Sequence, residues 1–246
     1  MSLDDSNDSI EKLYGNEVLK HFPNYGVFWR QFIGNPNSEK PEPYEYTFPS
    51  NISVEEKKRI LKNYEKIQIT HYSLFCQLAG THFQLKELEN TLKNVKDPEK
   101  RYFRHWEHFE VGYLHLGSVF YLQKTLWDVI HNLIAENQQE LETKLAQRLE
   151  ETKKYVKTLR DLVVHRGRAF TNFPHKGRFY IPLKVNREMV WSQFSIVKER
   201  TETSKQLKGD LIKVEKLMNE LHTPIISEYR DFINKKNIQI EYGGKK

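Results

Sequence analysis

Arg160, Asp161 and His165 are the one local set in this chain whose residue types and spacing fit a chemical task. A guanidinium offers planar donors to a phosphate whose negative charge grows in a transition state. An imidazole that titrates near neutrality can take the proton from a ribose 2′-hydroxyl or give one to a leaving 5′-oxygen. Asp161, four residues ahead of His165, can accept from the imidazole and orient it. None of these steps requires a metal. On a helix with Tyr155 set at zero, Tyr155, Val156, Leu159, Leu162 and Val163 share an apolar stripe centred at about 40°. Arg160 then falls at about 140°, Val164 at about 180°, Asp161 at about 240° and His165 at about 280°, a second face turned away from the core. Arg160 and His165 diverge by about 140°, so a single helix does not aim both at one phosphate. On the residues alone, solvated helix charges with His165 capping a carbonyl near Gly167 remain an equal reading.

The run Arg160-Asp161-Leu162-Val163-Val164-His165-Arg166 resembles the motif of the HEPN superfamily: Arg, a polar residue, three residues, His. The match is firm over these seven residues and loose over the helical region 53–222. The resemblance implies a four-helix bundle that dimerises. It implies a metal-independent endoribonuclease of the toxin or defence type with Arg160, His165 and Asp161 as catalytic residues. It also implies a homodimer through the outer face of the motif helix, and a cognate antitoxin protein as a further partner. The alternative is a noncatalytic helical module that binds RNA or a protein through the same basic face.

Charge supports a phosphate-bearing partner. The chain carries 39 Lys and Arg against 33 Asp and Glu, a net +6. Residues 153–187 hold ten of those basic residues and one acid, Asp161, so this stretch is +9 and the rest of the chain is −3. Phe170, Phe173, Phe179 and Tyr180 are interleaved with the cations, a mixture suited to single-stranded RNA, whose phosphates attract cations and whose bases stack on rings. Lys157, Arg166, Arg168, Lys176 and Arg178 are the RNA-binding candidates. Phe170 and Phe173 fit packing on the bundle better than stacking on bases.

Other chemistry is disfavoured. Neither GxGxxG nor GxxxxGK[ST] occurs, which argues against nucleotide-triphosphate hydrolysis. Cys76 is the single cysteine; it rules out an intramolecular disulfide and a thiolate zinc cluster, and reads as a core residue rather than a nucleophile. His105, His108 and His115 lie within about 80° on one predicted helix, and His71 and His82 share a face of another, which resembles DinB-like metal-binding bundles. His71 and His82 are about 16 Å apart by helical rise and no His-x-x-x-His or Glu-x-x-His pair occurs in those helices, so neither metal nor cofactor is expected. His105 and His108, beside Arg101 and Arg104, are expected on a polar surface or in the motif's cleft.

The elements that must position the motif are mostly helical. Ser53 followed by Glu56 fits a capping box and starts helix one, which runs to about Leu92, with Gly80 as a bend point. Asp97-Pro98-Glu99 starts helix two, which runs to about Ala135; Gly112, Gly117 and Ser118 allow close approach there. Helix three covers the motif and closes at Gly167. Residues 168–186 read as a loop or short hairpin, and helix four runs from about Asn186 or Thr201 to Leu221, where Pro224 ends or kinks it. The expected fold is an all-α, up-and-down bundle of four long helices at residues 53–240, with an aromatic-rich N-terminal arm at 1–52 wrapping it through Tyr25, Phe28, Trp29 and Phe32.

Size and composition set the outer limits. The 246 residues are 38% hydrophobic with a mean hydropathy of −0.74, yet 14 Phe, 13 Tyr and 4 Trp restore burial capacity. The acidic start Met1-Ser2-Leu3-Asp4-Asp5 lacks a secretory pattern, and the longest apolar window, 111–122, is too short to span a bilayer. A soluble cytoplasmic protein without membrane contact is therefore expected.

Overall fold

The computed structural model describes residues 10–34, 44–134, 178–185 and 188–242. Two short helices, α1 (Ile10–His21) and α2 (Pro23–Phe28), lead into a wide turn at Trp29–Ile33, closed by the Gly34 N–H on the Trp29 carbonyl. A strand β1 (Tyr44–Thr47) precedes two long helices, α3 (Val54–Asn94) and α4 (Pro98–Ile134). Strands β2 (Arg178–Val185) and β3 (Glu188–Ser195) run directly into α5 (Ile196–Lys235), and β4 (Gln239–Tyr242) closes the described chain.

Local chemistry explains the helix starts. Ser53 Oγ accepts from the Glu56 N–H at 3.1 Å, and Glu55 and Glu56 complement the dipole of the first turn. The expected return bond of the capping box is replaced, since the Glu56 carboxylate takes Lys236 Nζ at 2.8 Å instead. Asp97 Oδ1 accepts from the Lys100 N–H, with Pro98 at the first helical position of α4.

Side-chain pairs give the helix directions. Gln77 meets His115, Gln84 meets His108, and Arg59 reaches the Asn132 carbonyl, so rising numbers on α3 match falling numbers on α4. The two helices are antiparallel. Tyr113 meets Asp210, and Gly112 faces Leu207, so α4 and α5 run in the same direction. His82–Glu215 and Glu56–Lys236 set α5 antiparallel to α3.

Two apolar clusters fill this frame. One joins Tyr14, Val18, Phe22 and Tyr25 to Leu74, Leu78, Tyr113, Phe120, Leu211 and Met218. The other joins Phe28, Phe32 and Ile33 to Ile60, Ile67, Leu126, Ile130, Ile225, Tyr229 and Phe232. The N-terminal aromatics thus lie within the clusters that also hold α3 to α5, with Trp29 partly buried against both. Asn24 ties α2 to α5: its N–H donates to Asn219 Oδ1 and its amide to the Asn219 carbonyl.

Helix α5 differs from its expected bounds at both ends. Residues 188–195 are strand, so the start at Asn186 is overturned, and the helix continues through Pro224 for eleven more residues. Pro224 removes one backbone bond, but Ile225, Ile226, Tyr229, Phe232 and Ile233 are all buried beyond it, and their burial outweighs that loss. The helix then ends in a Schellman arrangement. Asn237 sits at φ 52°, its N–H bonds the Asn234 carbonyl, and the Ile238 N–H bonds the Ile233 carbonyl, both at 3.0 Å.

The fold is mainly helical rather than purely so. Strand β1 pairs antiparallel with β4, Tyr44 opposite Tyr242 and Thr47 opposite Gln239. Strands β2 and β3 form a hairpin, Arg178 opposite Ser195 and Val185 opposite Glu188. Among the described residues no helix is long and apolar enough to cross a membrane. The expected third helix lies outside the described residues.

Candidate functional site

Arg160, Asp161 and His165 lie outside the described residues, as do Lys157, Arg166, Arg168 and Lys176. Arg178 is placed as the first residue of β2, at the open end of the hairpin. What the structure brings together is a polar layer inside the frame, and most of it lies on residues that the sequence pattern did not single out.

Four cross-helix pairs make this layer. His115 Nδ1 donates to Gln77 Oε1 at 2.7 Å and His108 Nδ1 to Gln84 Oε1 at 2.8 Å, both between α4 and α3. Tyr113 donates to Asp210 Oδ2 at 2.7 Å between α4 and α5, and Lys213 Nζ stands 3.7 Å from the other carboxylate oxygen. His82 Nε2 lies 2.6 Å from Glu215 Oε1 between α3 and α5. Close backbone approach makes room for the pairs: a Cβ on Gly80 would lie 3.0 Å from the His115 ring, and one on Gly112 would lie 2.9 Å from Leu207.

The His82–Glu215 pair has the chemistry of an oriented imidazole. The Glu215 side chain is fully covered, and burial pushes its carboxyl above the usual range against the pull of His82. Among the described residues Glu215 Oε2 has no partner. A buried carboxylate that fixes one ring nitrogen leaves the other to exchange protons. Here the ring is covered by Tyr14, stacked at 6.5 Å with 11° between planes, and Lys86 lies over the far Tyr14 ring at 5.7 Å. The pair works as a latch between α1, α3 and α5 rather than as an open site.

A second interior group surrounds His71. Tyr25 stacks on it at 4.1 Å and Phe28 at 4.6 Å, and His222 lies 5.4 Å away. His222 Nδ1 donates to the Met218 carbonyl. Burial drives His71 well below the ordinary histidine range and His222 down to about 3, so both are neutral. His71 and His82 therefore serve separate partners.

The polar-surface reading fails for His105, which is buried, and burial with the neighbouring His108 lowers it to about 4. His108 is half-buried against Gln84, and the motif's cleft lies outside the described residues. Cys76 is partly buried rather than fully enclosed in the core. Among the described residues no group of three or more His, Cys, Asp or Glu is arranged to hold a metal ion.

Asp210, Glu215 and His222 carried a readable signal. They fall on the same three- and four-residue steps as Leu207, Leu211, Val214, Met218 and Ile225, and polar residues on a buried stripe need partners. Compared with known proteins, the chain matches no family model, no curated protein and no solved structure.

Proposed function

We propose that this chain is a HEPN-like, metal-independent endoribonuclease that acts as a homodimer. Arg160 holds the scissile phosphate, His165 transfers protons at the 2′-hydroxyl and the leaving 5′-oxygen, and Asp161 orients His165. The observation that carries this reading is the coincidence of the Arg-Asp-x-x-x-His spacing with the strongly basic stretch 153–187. Lys157, Arg166, Arg168, Lys176 and Arg178 supply the phosphate grip.

The directions of α4 and α5 support a fourth helix for the motif. Helix α4 leaves the bundle at Ile134, and α5 starts at Ile196, fourteen residues ahead of Asp210, which is level with Tyr113. The intervening chain therefore returns by about 50 Å. In this reading the chain between α4 and the β2–β3 hairpin makes most of that return. A helix over the run that closes at Gly167, about 30 residues, spans about 45 Å and completes an up-and-down bundle of four. In that bundle the outer faces of two motif helices pair about a two-fold axis and bring two Arg160 and two His165 to one cleft. A toxin or defence role with a cognate antitoxin belongs to the same reading.

Changing His165 to Ala tests the assignment. The expected result is loss of RNA cleavage with RNA binding retained. Cleavage by the variant equal to wild type would remove His165 from the mechanism, and binding without cleavage by wild type would leave a noncatalytic RNA-binding module.

A further inference from the structure

We propose that the outer face of the α3–α4 pair is a self-association surface on which a second copy of this chain packs antiparallel about a two-fold axis. The surface lies on α3 and α4, apart from the Arg160–His165 motif in sequence, and stands whether or not that motif is catalytic.

Residues 67–85 of α3 and 111–123 of α4 contain no Lys, Arg, Asp or Glu. The Gln77–His115 and Gln84–His108 bonds set these two uncharged windows side by side, Tyr121 level with His71 and Leu114 level with Leu78. Helical phase shows which side each window presents. On α3, Gln77 and Gln84 mark the direction of α4, and Ile69, Tyr72 and Cys76 lie about 110° round from it. On α4, His108 and His115 mark the direction of α3, and Leu114 and Tyr121 lie about 120° round from it in the same sense. For an antiparallel pair, equal senses put both sets on one side. Helix α5 takes the other side, where Tyr113 meets Asp210 and His82 meets Glu215.

That side is open. Ile69 is 60% exposed, Tyr72 and Tyr121 are each 48% exposed, and Leu114 is 41% exposed. Four of the seven exposed large apolar side chains thus share one patch among the described residues. An uncharged strip of about 28 Å on α3 and about 20 Å on α4, each about 10 Å wide, covers about 480 Å² per copy. Two copies would bury about 960 Å², the size of a weak, reversible interface.

Charge at the two ends selects the occupant. Lys58, Lys62 and Lys66 border the patch at one end, against Glu65 and Asp128. Glu87, Glu107 and Glu110 border it at the other, against Lys100 and Arg104. A copy turned antiparallel lays its acidic end over the basic end and its apolar centre over the apolar centre, which is the self-complementarity an isologous dimer requires. A parallel copy would oppose like charges.

The axis that sets Lys62 against Glu87 passes level with Leu74 and Phe75, so the two Cys76 side chains fall within about 10 Å of each other. This makes the chain's single cysteine a native reporter. Sedimentation of the full chain across about 1–100 µM should show a concentration-dependent association step that belongs to this face, whether or not the motif helices also pair. A short bismaleimide should then cross-link Cys76 to Cys76. Ile69→Glu, at an exposed position that leaves the core untouched, should abolish the cross-link, whereas His165→Ala should leave it unchanged. Lys62→Glu or Glu87→Lys alone should weaken association by about tenfold, and the two together should restore it. A chain without the cross-link at any of these concentrations, or a dimer indifferent to Ile69→Glu and to the charge exchange, overturns the proposal.

Discussion

Acid should weaken this fold through histidines that cannot be protonated where they sit. His71 is fully buried between Tyr25 and Phe28, and among the described residues neither of its ring nitrogens has a hydrogen-bond partner. His222, 5.4 Å away and also buried, keeps one bond, to the Met218 carbonyl. Burial lowers both, His222 to about 3, while the unfolded chain protonates them near 6.5. Below about pH 6.5 the unfolded state therefore binds more protons than the native state, so stability falls as pH falls. Each histidine contributes about 1 kcal/mol per pH unit, so the pair costs about 3 kcal/mol between pH 6.5 and 5. Glu110 and Glu215 act in the opposite sense, since burial raises both and the native state gains protons first. The comparison with a variant isolates the histidine share. His71→Phe keeps the stack on Tyr25 and removes one titrating group. Urea denaturation at several pH values should show its slope of stability against pH reduced by about 1 kcal/mol per unit between pH 6.5 and 5. The slope is insensitive to any constant packing change that phenylalanine introduces. Equal slopes for the variant and wild type would refute the reasoning.

Three further outcomes follow from the polar layer and the close contacts. Tyr113→Phe removes the donor to the buried Asp210 and should cost about 1–3 kcal/mol in urea denaturation, with Asp210→Asn costing less in the Tyr113→Phe background than in wild type. Gly112→Val places branched carbon against Leu207, 2.9 Å from the position of a Cβ, and should cost about 1–3 kcal/mol; adding Leu207→Ala should recover part of that loss, and independent costs in the double mutant would show that the two sites do not touch. Ser53→Ala removes the cap of α3 and should lower stability by about 1 kcal/mol, whereas an unchanged denaturation midpoint would show that the first turn does not depend on it.

The parts of the fold legible in the sequence were those written in local chemistry. Ser53 and Asp97-Pro98 marked the starts of α3 and α4, and Gly112 marked a close approach. The continuation of α5 past Pro224 was not legible, because a local rule about proline gave way to burial of Tyr229 and Phe232 against distant residues. Nor was the β1–β4 pair, whose four-residue strands are joined only by contacts between the two ends of the chain. The candidate catalytic residues were legible as spacing alone. The interior pairs were half legible: the histidines of α3 and α4 stood out, while Asp210, Glu215 and His222 on α5, which complete or neighbour them, were hidden in an apolar stripe.

The most direct measurement is incubation of defined end-labelled RNAs with the wild-type protein and its His165→Ala form in excess EDTA, reading fragments and their end groups. The account predicts fragments ending in 2′,3′-cyclic phosphate from wild type alone. Intact RNA across all substrates, or the same fragments from His165→Ala, would contradict it.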